Sequence, residues 1–139
     1  LAKWLGEGKW DVIHFNFGLH DLKIMEGGKR QVEPEDYERN LRALVAELRK
    51  TGAKLVFANT TPVPEGKLNP PRNFGDVATY NQIALKVMQE QGVAVDDLNA
   101  AITPDLAKLQ RPHDVHYTAE GYEALAQAVV KSLLKALGK

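Results

Sequence analysis

A chain of 139 residues is enough for one domain and suggests no second, and 44% hydrophobic against 26% charged side chains is the balance of an ordinary globular protein. Eighteen basic and 18 acidic side chains cancel, which leaves no electrostatic footprint for nucleic acid or an anionic membrane surface. Lys, Glu or Gln interrupts each apolar stretch before it could span a bilayer, and the lack of cysteine excludes disulfides, thiolate metal sites and a cysteine nucleophile.

Taken in order, residues 1–8 read as the tail of a helix, with Leu1, Trp4 and Leu5 at helical spacing and Gly6 and Gly8 as stop signals. Asp11 to Phe17 is a short apolar run ending at Gly18, which predicts a buried strand. A polar stretch with Gly27 and Gly28 leads to Pro34, a residue suited to a helix's first turn because its missing N–H costs nothing there. Tyr37, Leu41, Leu44, Val45 and Leu48 then recur at steps of three and four, giving a helix with one apolar face up to Gly52.

Lys54 to Ala58 is the next strand, and residues 60–73, with four prolines, form an irregular loop. Val77, Tyr80, Ala84, Val87 and Met88 mark a third helix stopped by Gly92, and Val93 to Val95 a short strand. Leu98 to Leu109 is expected to be helical with a limit or kink at Pro104. From Thr118, an expected N-cap, a last amphipathic helix should turn Tyr122, Leu125, Ala126, Val129, Val130, Leu133 and Leu137 inward. Trp4 and Tyr122 are accordingly read as core residues.

Strands alternating with helices imply right-handed crossovers and a parallel α/β sheet covered on both faces. Sites in such sheets lie at the carboxyl ends of strands, here near Gly18–Asp21, Asn59–Pro64 and Asp96–Asn99. Three strands make a thin sheet, so one or two more are expected upstream of Leu1, where any targeting signal would also lie. The compartment, secreted or periplasmic included, and the oligomeric state stay open.

Two polar clusters fall where chemistry is expected. His116 stands in the run Arg111-Pro-His-Asp-Val-His-Tyr-Thr-Ala-Glu-Gly-Tyr122, just ahead of the last helix, with Asp114 two residues back to orient its ring. Gly18-Leu-His-Asp21 closes the first strand, with Asn16 just before it. Buried strands seldom run straight into His and Asp, although a structural turn carried by Gly18 and Asp21 explains part of that pattern.

The run from Asp11 to Asp21 resembles the third conserved block of the SGNH (GDSL-like) hydrolases, a strand ending in Gly-x-Asn-Asp. Asp114-Val-His-Tyr-Thr-Ala-Glu-Gly-Tyr122 resembles their fifth block, the loop that carries the catalytic histidine. The resemblance covers essentially the whole chain and implies a three-layer, flavodoxin-like α/β fold whose N-terminal strand or strands are missing here. It implies a carboxylic-ester hydrolase working through an acyl-enzyme, without metal or cofactor, on a small-molecule or carbohydrate ester.

In that resemblance His116 takes the place of the catalytic base, Gly18 that of the third-block glycine, and His20 that of the asparagine that donates to the oxyanion. Asp21 matches the block's closing, mainly structural, aspartate. His113 occupies the position of the family's usual acid, and Asp114 is the nearest substitute, so either a shifted Asp or a Ser-His dyad follows. The family's Gly-Asp-Ser block does not occur in these residues, nor does its second-block glycine. Ser132, the sole serine, falls in the last helix between Lys131 and Lys135 and reads as a surface residue, and Thr60 and Thr61 read as loop or substrate contacts. The 139 residues are therefore expected to be inactive by themselves, to fold poorly and to self-associate through a bare strand edge.

Two rival readings remain. His14, His20, Asp21, His113, Asp114 and His116 could bind zinc for metal-assisted hydrolysis, although their spacing fits no common zinc signature. A non-catalytic relative could bind a carbohydrate or a partner surface through Trp4, Trp10, Tyr117 and Tyr122. A nucleotide-binding domain is disfavoured because no glycine-rich loop follows any strand.

Overall fold

Three parallel strands in the order β1-β2-β3 form the sheet: β1 Val12–Asn16, β2 Lys54–Ala58 and β3 Ala94–Asp96. The computed structural model describes residues 1–139, the side chain of Ala2 left aside. A four-residue helix, α1 (Ala2–Leu5), precedes the sheet. Because β1, β2 and β3 follow one another in both space and sequence, right-handed crossovers place α2 (Pro34–Arg49) and α3 (Asp76–Glu90) on the same face. The other face is covered by α6 (Ala119–Leu137). Between β3 and α6 the expected single helix is broken into α4 (Leu98–Ile102), a 3₁₀ turn at Thr103–Asp105 and α5 (Leu106–Leu109), because Pro104 cannot donate the hydrogen bond that a continuous helix needs.

Side chains alternate across the strands, and the alternation decides what each face does. Phe15 and Phe57, paired in register, meet edge to face at 5.4 Å between ring centres and bury against the α2–α3 layer. There Tyr37, Leu41, Val45 and Leu48 from α2 meet Val77, Tyr80, Ala84, Val87 and Met88 from α3, as the spacing predicts. His14, Val56 and Asp96 point to the α6 side, where Lys54 Nζ donates to the carbonyl of Ala136 at 2.7 Å. His14 Nε2 lies 2.9 Å from Asp96 Oδ2, tying β1 to β3 across β2.

The last helix differs from expectation in what it buries. Thr118 caps it as predicted, accepting from the Gly121 N–H at 3.1 Å. Leu125, Val129 and Leu133 are half-buried, but Tyr122, Val130 and Leu137 are exposed, as are Ala126 and Leu134. The helix is apolar over more than one face, so periodicity alone does not choose which face meets the sheet. Ser132 correspondingly lies half-buried rather than at the surface. Trp4, 80% exposed, is also not a core residue, and Trp10 Nε1 donates to the Leu5 carbonyl at 3.1 Å beside it. No helix among the described residues is long and apolar enough to cross a membrane.

Candidate active site

The turn that ends β1 is built around a glycine that no other residue could replace without rearrangement. Gly18 is buried, its φ is +145°, and a Cβ there would collide with Thr60 Oγ1 and approach the Tyr37 hydroxyl at 3.3 Å. Tyr37 Oη donates to the Phe17 carbonyl at 2.7 Å, and burial pushes that phenol well above its ordinary pKa, so it stays a donor. Leu22 N–H closes the turn on the Gly18 carbonyl at 3.1 Å.

The end of β2 is braced by amides. Asn81 of α3 clamps Thr60, its Oδ1 accepting the Thr60 N–H and its Nδ2 donating to the Thr60 carbonyl, each at 2.8 Å. Asn99 Nδ2 donates to the same carbonyl at 2.8 Å, and Asn59 bridges the Asp97 carboxylate and the Asn99 N–H at 2.6 and 2.9 Å. These polar groups pair with each other, so the end of β2 is held rigid.

The histidine loop is closed at its base. Gln110 and Tyr117 pair as an antiparallel bridge, Arg111 N–H donates to the His116 carbonyl at 3.0 Å, and Thr118 N–H to the Leu109 carbonyl at 2.8 Å. Gly121 lets α6 start against this base, since a Cβ there would strike the Leu109 carbonyl. His113, the non-glycine residue with positive φ (55°), bends the loop so that Asp114 turns back on His116. Asp114 Oδ1 lies 2.7 Å from His116 Nδ1 and also accepts the His116 N–H at 3.1 Å. The hydrogen bond from the imidazole, helped by the backbone N–H, holds the Asp114 carboxyl below the usual carboxylate range. With Nδ1 engaged, Nε2 is the nitrogen left for chemistry.

His20 and His116 border one cavity. Leu19, His20, Lys23, Leu68, Asn69, Pro70, Arg72, His113, Asp114, Val115 and His116 enclose a volume of about 230 Å³. His20 Nδ1 lies 3.1 Å from Lys23 Nζ, and an ammonium can only donate, so the imidazole accepts at Nδ1 and carries its proton on Nε2. That tautomer is the one that could donate to an oxyanion. Gly18 sits beneath this turn, whereas Asp21 faces the other way, into a groove it shares with Phe17, Tyr37, Leu41 and Leu44. Burial raises the Asp21 carboxyl above its ordinary value, against the opposing pull of the Asp21 and Gly18 backbone N–H groups.

The remaining candidates separate. His14 is held by Asp96 on the α6 face, apart from this cavity, and no three metal-ligating side chains converge among the described residues. Tyr117 is buried, and Trp4, Trp10 and Tyr122 do not line the cavity. Arg72 and Lys23 do line it, and sequence reasoning passes over both: they are single cations in irregular loops, brought together by a two-residue antiparallel bridge that leaves no periodic signal.

The sequence profile of the GDSL-like lipase/acylhydrolase family matches residues 2–124. Among curated proteins no sequence matches. Among solved structures, an α/β-hydrolase enzyme from the metagenome of Lake Arreo, Spain, superposes with a TM-score of 0.73 at 21% identity, over 99% of this chain and 65% of that one. The lipase/acylhydrolase from Enterococcus faecalis gives 0.73 at 22% identity, over 88% and 60%. An acetylxylan esterase from Geobacillus stearothermophilus gives 0.73 at 21%, over 99% and 65%. The chain thus spans about 65% of the length of the solved relatives it matches over 99% of its own.

Proposed function

The chain belongs to the GDSL-like lipase/acylhydrolase family, and from that premise we propose that it supplies the base, its orienting acid and an oxyanion donor to a carboxylic-ester hydrolase that works through an acyl-enzyme. The observation that carries this reading is that His116, bonded to Asp114, and His20 border the same cavity. The nucleophile is a serine outside these 139 residues, because no Gly-Asp-Ser run occurs among them and Ser132 lies half-buried in α6.

In the reaction His116 Nε2 takes the proton from the serine hydroxyl as that oxygen attacks the ester carbonyl. Asp114 holds the ring and steadies the imidazolium that results. His20 Nε2–H donates to the oxygen that gathers negative charge, joined by backbone N–H groups. The imidazolium then returns its proton to the departing alcohol, and water, activated by the same imidazole, releases the acid. The substrate is read as an acylated carbohydrate: the loops at 22–33 and 64–75 are largely polar, and structural neighbours include acetylxylan esterases.

The test is hydrolysis of p-nitrophenyl acetate by the full-length protein and its His116→Ala variant. The variant is expected to lose about 10²–10⁴-fold in kcat, the usual share of a general acid–base. A variant as active as the parent overturns the assignment. The 139 residues alone are expected not to turn over, and ester cleavage by them through a route independent of Ser132 would overturn the external serine.

A further inference from the structure

We propose that the cavity beside His116 is built to receive a carboxylate carried by the substrate, so that the preferred ester is that of an acidic molecule such as an O-acylated sugar acid. This deepens the hydrolase reading and rests on it.

The argument starts from Arg72. Its side chain is buried, the residue being 8% exposed, and its guanidinium is fixed by donating from Nε to the Leu19 carbonyl at 3.0 Å and from Nη1 to the Pro70 carbonyl at 3.1 Å. Neutral carbonyls take up two of its donors, no carboxylate among the described residues stands within ion-pairing distance, and Asp114 alone offsets its charge, from farther off. Three other arginines pair with carboxylates: Arg30 grips Asp76 through two bonds of 2.8 and 2.6 Å, Arg42 bridges Glu38 and Glu90 at 2.7 and 2.6 Å, and Arg39 meets Asp36. A buried, unpaired cation is costly, and burial accordingly pulls the Arg72 guanidinium below its ordinary value.

A second cation makes the arrangement harder to explain without a ligand. Lys23 is the antiparallel bridge partner of Arg72, and both line the cavity. Their backbones are thus held side by side, with the Lys23 ammonium on His20 and the guanidinium on the Leu19 and Pro70 carbonyls. The one carboxylate in the cavity wall, Asp114, keeps its charge but is held on His116 through both ring and backbone, so two cations face a single anion that pairs directly with neither. An anion seated in the cavity would be attracted by both cations and would restore the missing negative charge there. The volume of about 230 Å³ is shared with His20 and His116, which puts that anion within one small molecule of the reacting ester.

The experiment uses the full-length protein and two acetylated substrates, an O-acetyl glucuronoside and the matching O-acetyl glucoside, in which a hydroxymethyl group replaces the carboxylate. At low salt, kcat/KM for the acid should exceed that for the neutral sugar at least about tenfold, the scale of one charge-assisted pair. The ratio should fall towards one in Lys23→Gln and in Arg72→Gln. Because Arg72 also holds two loop carbonyls and its variant could misfold, the half-buried Lys23 carries the decision. Equal kcat/KM for the two sugars in the parent, or a ratio unchanged by Lys23→Gln, overturns the proposal. If neither sugar is hydrolysed and His116→Ala changes nothing, the hydrolase reading fails, and the cavity is judged by titration with free glucuronate, glucose and inorganic phosphate. Saturable glucuronate binding that Lys23→Gln abolishes keeps the carboxylate assignment. No glucuronate binding, or phosphate binding alone, ends it.

Discussion

Asp114 Oδ1 sits 2.7 Å from His116 Nδ1 although the two residues are only two positions apart in the chain. A left-handed turn at His113 makes so local an acid–imidazole contact possible. Because its partner holds the Asp114 carboxyl below the usual carboxylate range, its charge persists well into acid solution. Asp114→Asn in the full-length protein should keep the ring near its place but remove that charge. The pair is more exposed than a buried triad, where the same change costs about 10⁴-fold in kcat, so a loss of roughly 10–100-fold is expected. A kcat within twofold of the parent would mean a Ser-His dyad instead.

Gly18 and Thr60 set the second test. Gly18→Ala meets both a positive φ and the Thr60 hydroxyl, and should destabilise the chain by about 1–3 kcal/mol. Adding Thr60→Ala removes the collision but not the dihedral strain, so the double variant should recover only part of the lost melting temperature. Full recovery would show that the backbone conformation carries no cost.

Asn81 explains how the end of β2 is held, and no sequence pattern announces it. Replacing it by Leu leaves the buried Thr60 N–H without its acceptor and removes one of two donors from the Thr60 carbonyl. The expected cost is about 2–3 kcal/mol, measured by urea unfolding, since an orphaned buried amide is dearer than a lost exposed one. A change under about 0.5 kcal/mol would show that water replaces the amide.

The helices and strands were readable because burial imposes a period on the residues that meet the core. Tyr37 to Leu48 and Val77 to Met88 pack as their spacing requires. The Asp114–His116 contact was readable for another reason: the two residues are neighbours in the chain. Arg72, Lys23 and Asn81 were not, because their roles arise from contacts between loops or elements distant in sequence. Tyr122, Val130 and Leu137 were misplaced because α6 is apolar on more than one side, and only the position of the sheet decides which side is covered.

Asp21 makes stability depend on pH in the direction opposite to a paired carboxylate. Its carboxyl is raised by burial, so the folded chain keeps that proton at pH values where the unfolded chain has released it. Stability should therefore fall as pH rises through the interval above the ordinary carboxylate range. Asp21→Asn, which cannot ionise, should melt higher than the parent at neutral pH and lose that advantage at pH values below the ordinary carboxylate range, followed by circular dichroism. An Asn variant that melts lower at neutral pH would show that the charge is stabilising where it stands.

The exposed stripe of α6 predicts how the 139 residues behave in solution. Tyr122, Val130, Leu134 and Leu137 are each at least 40% exposed, and they recur at helical spacing along one side of the helix. The outer edge of β1 is also unpaired among the described residues. Either feature can bring copies together, but they predict different cures. If the stripe dominates, sedimentation velocity should show association that rises with concentration and disappears in the double variant Val130→Glu, Leu134→Lys. Surface changes of this kind alter stability by only about 0.5 kcal/mol, so loss of association would not reflect unfolding. A parent chain that sediments as a monomer at every concentration overturns both features as association sites, and association that persists in the double variant assigns it to an open edge of the sheet, β1 or β3.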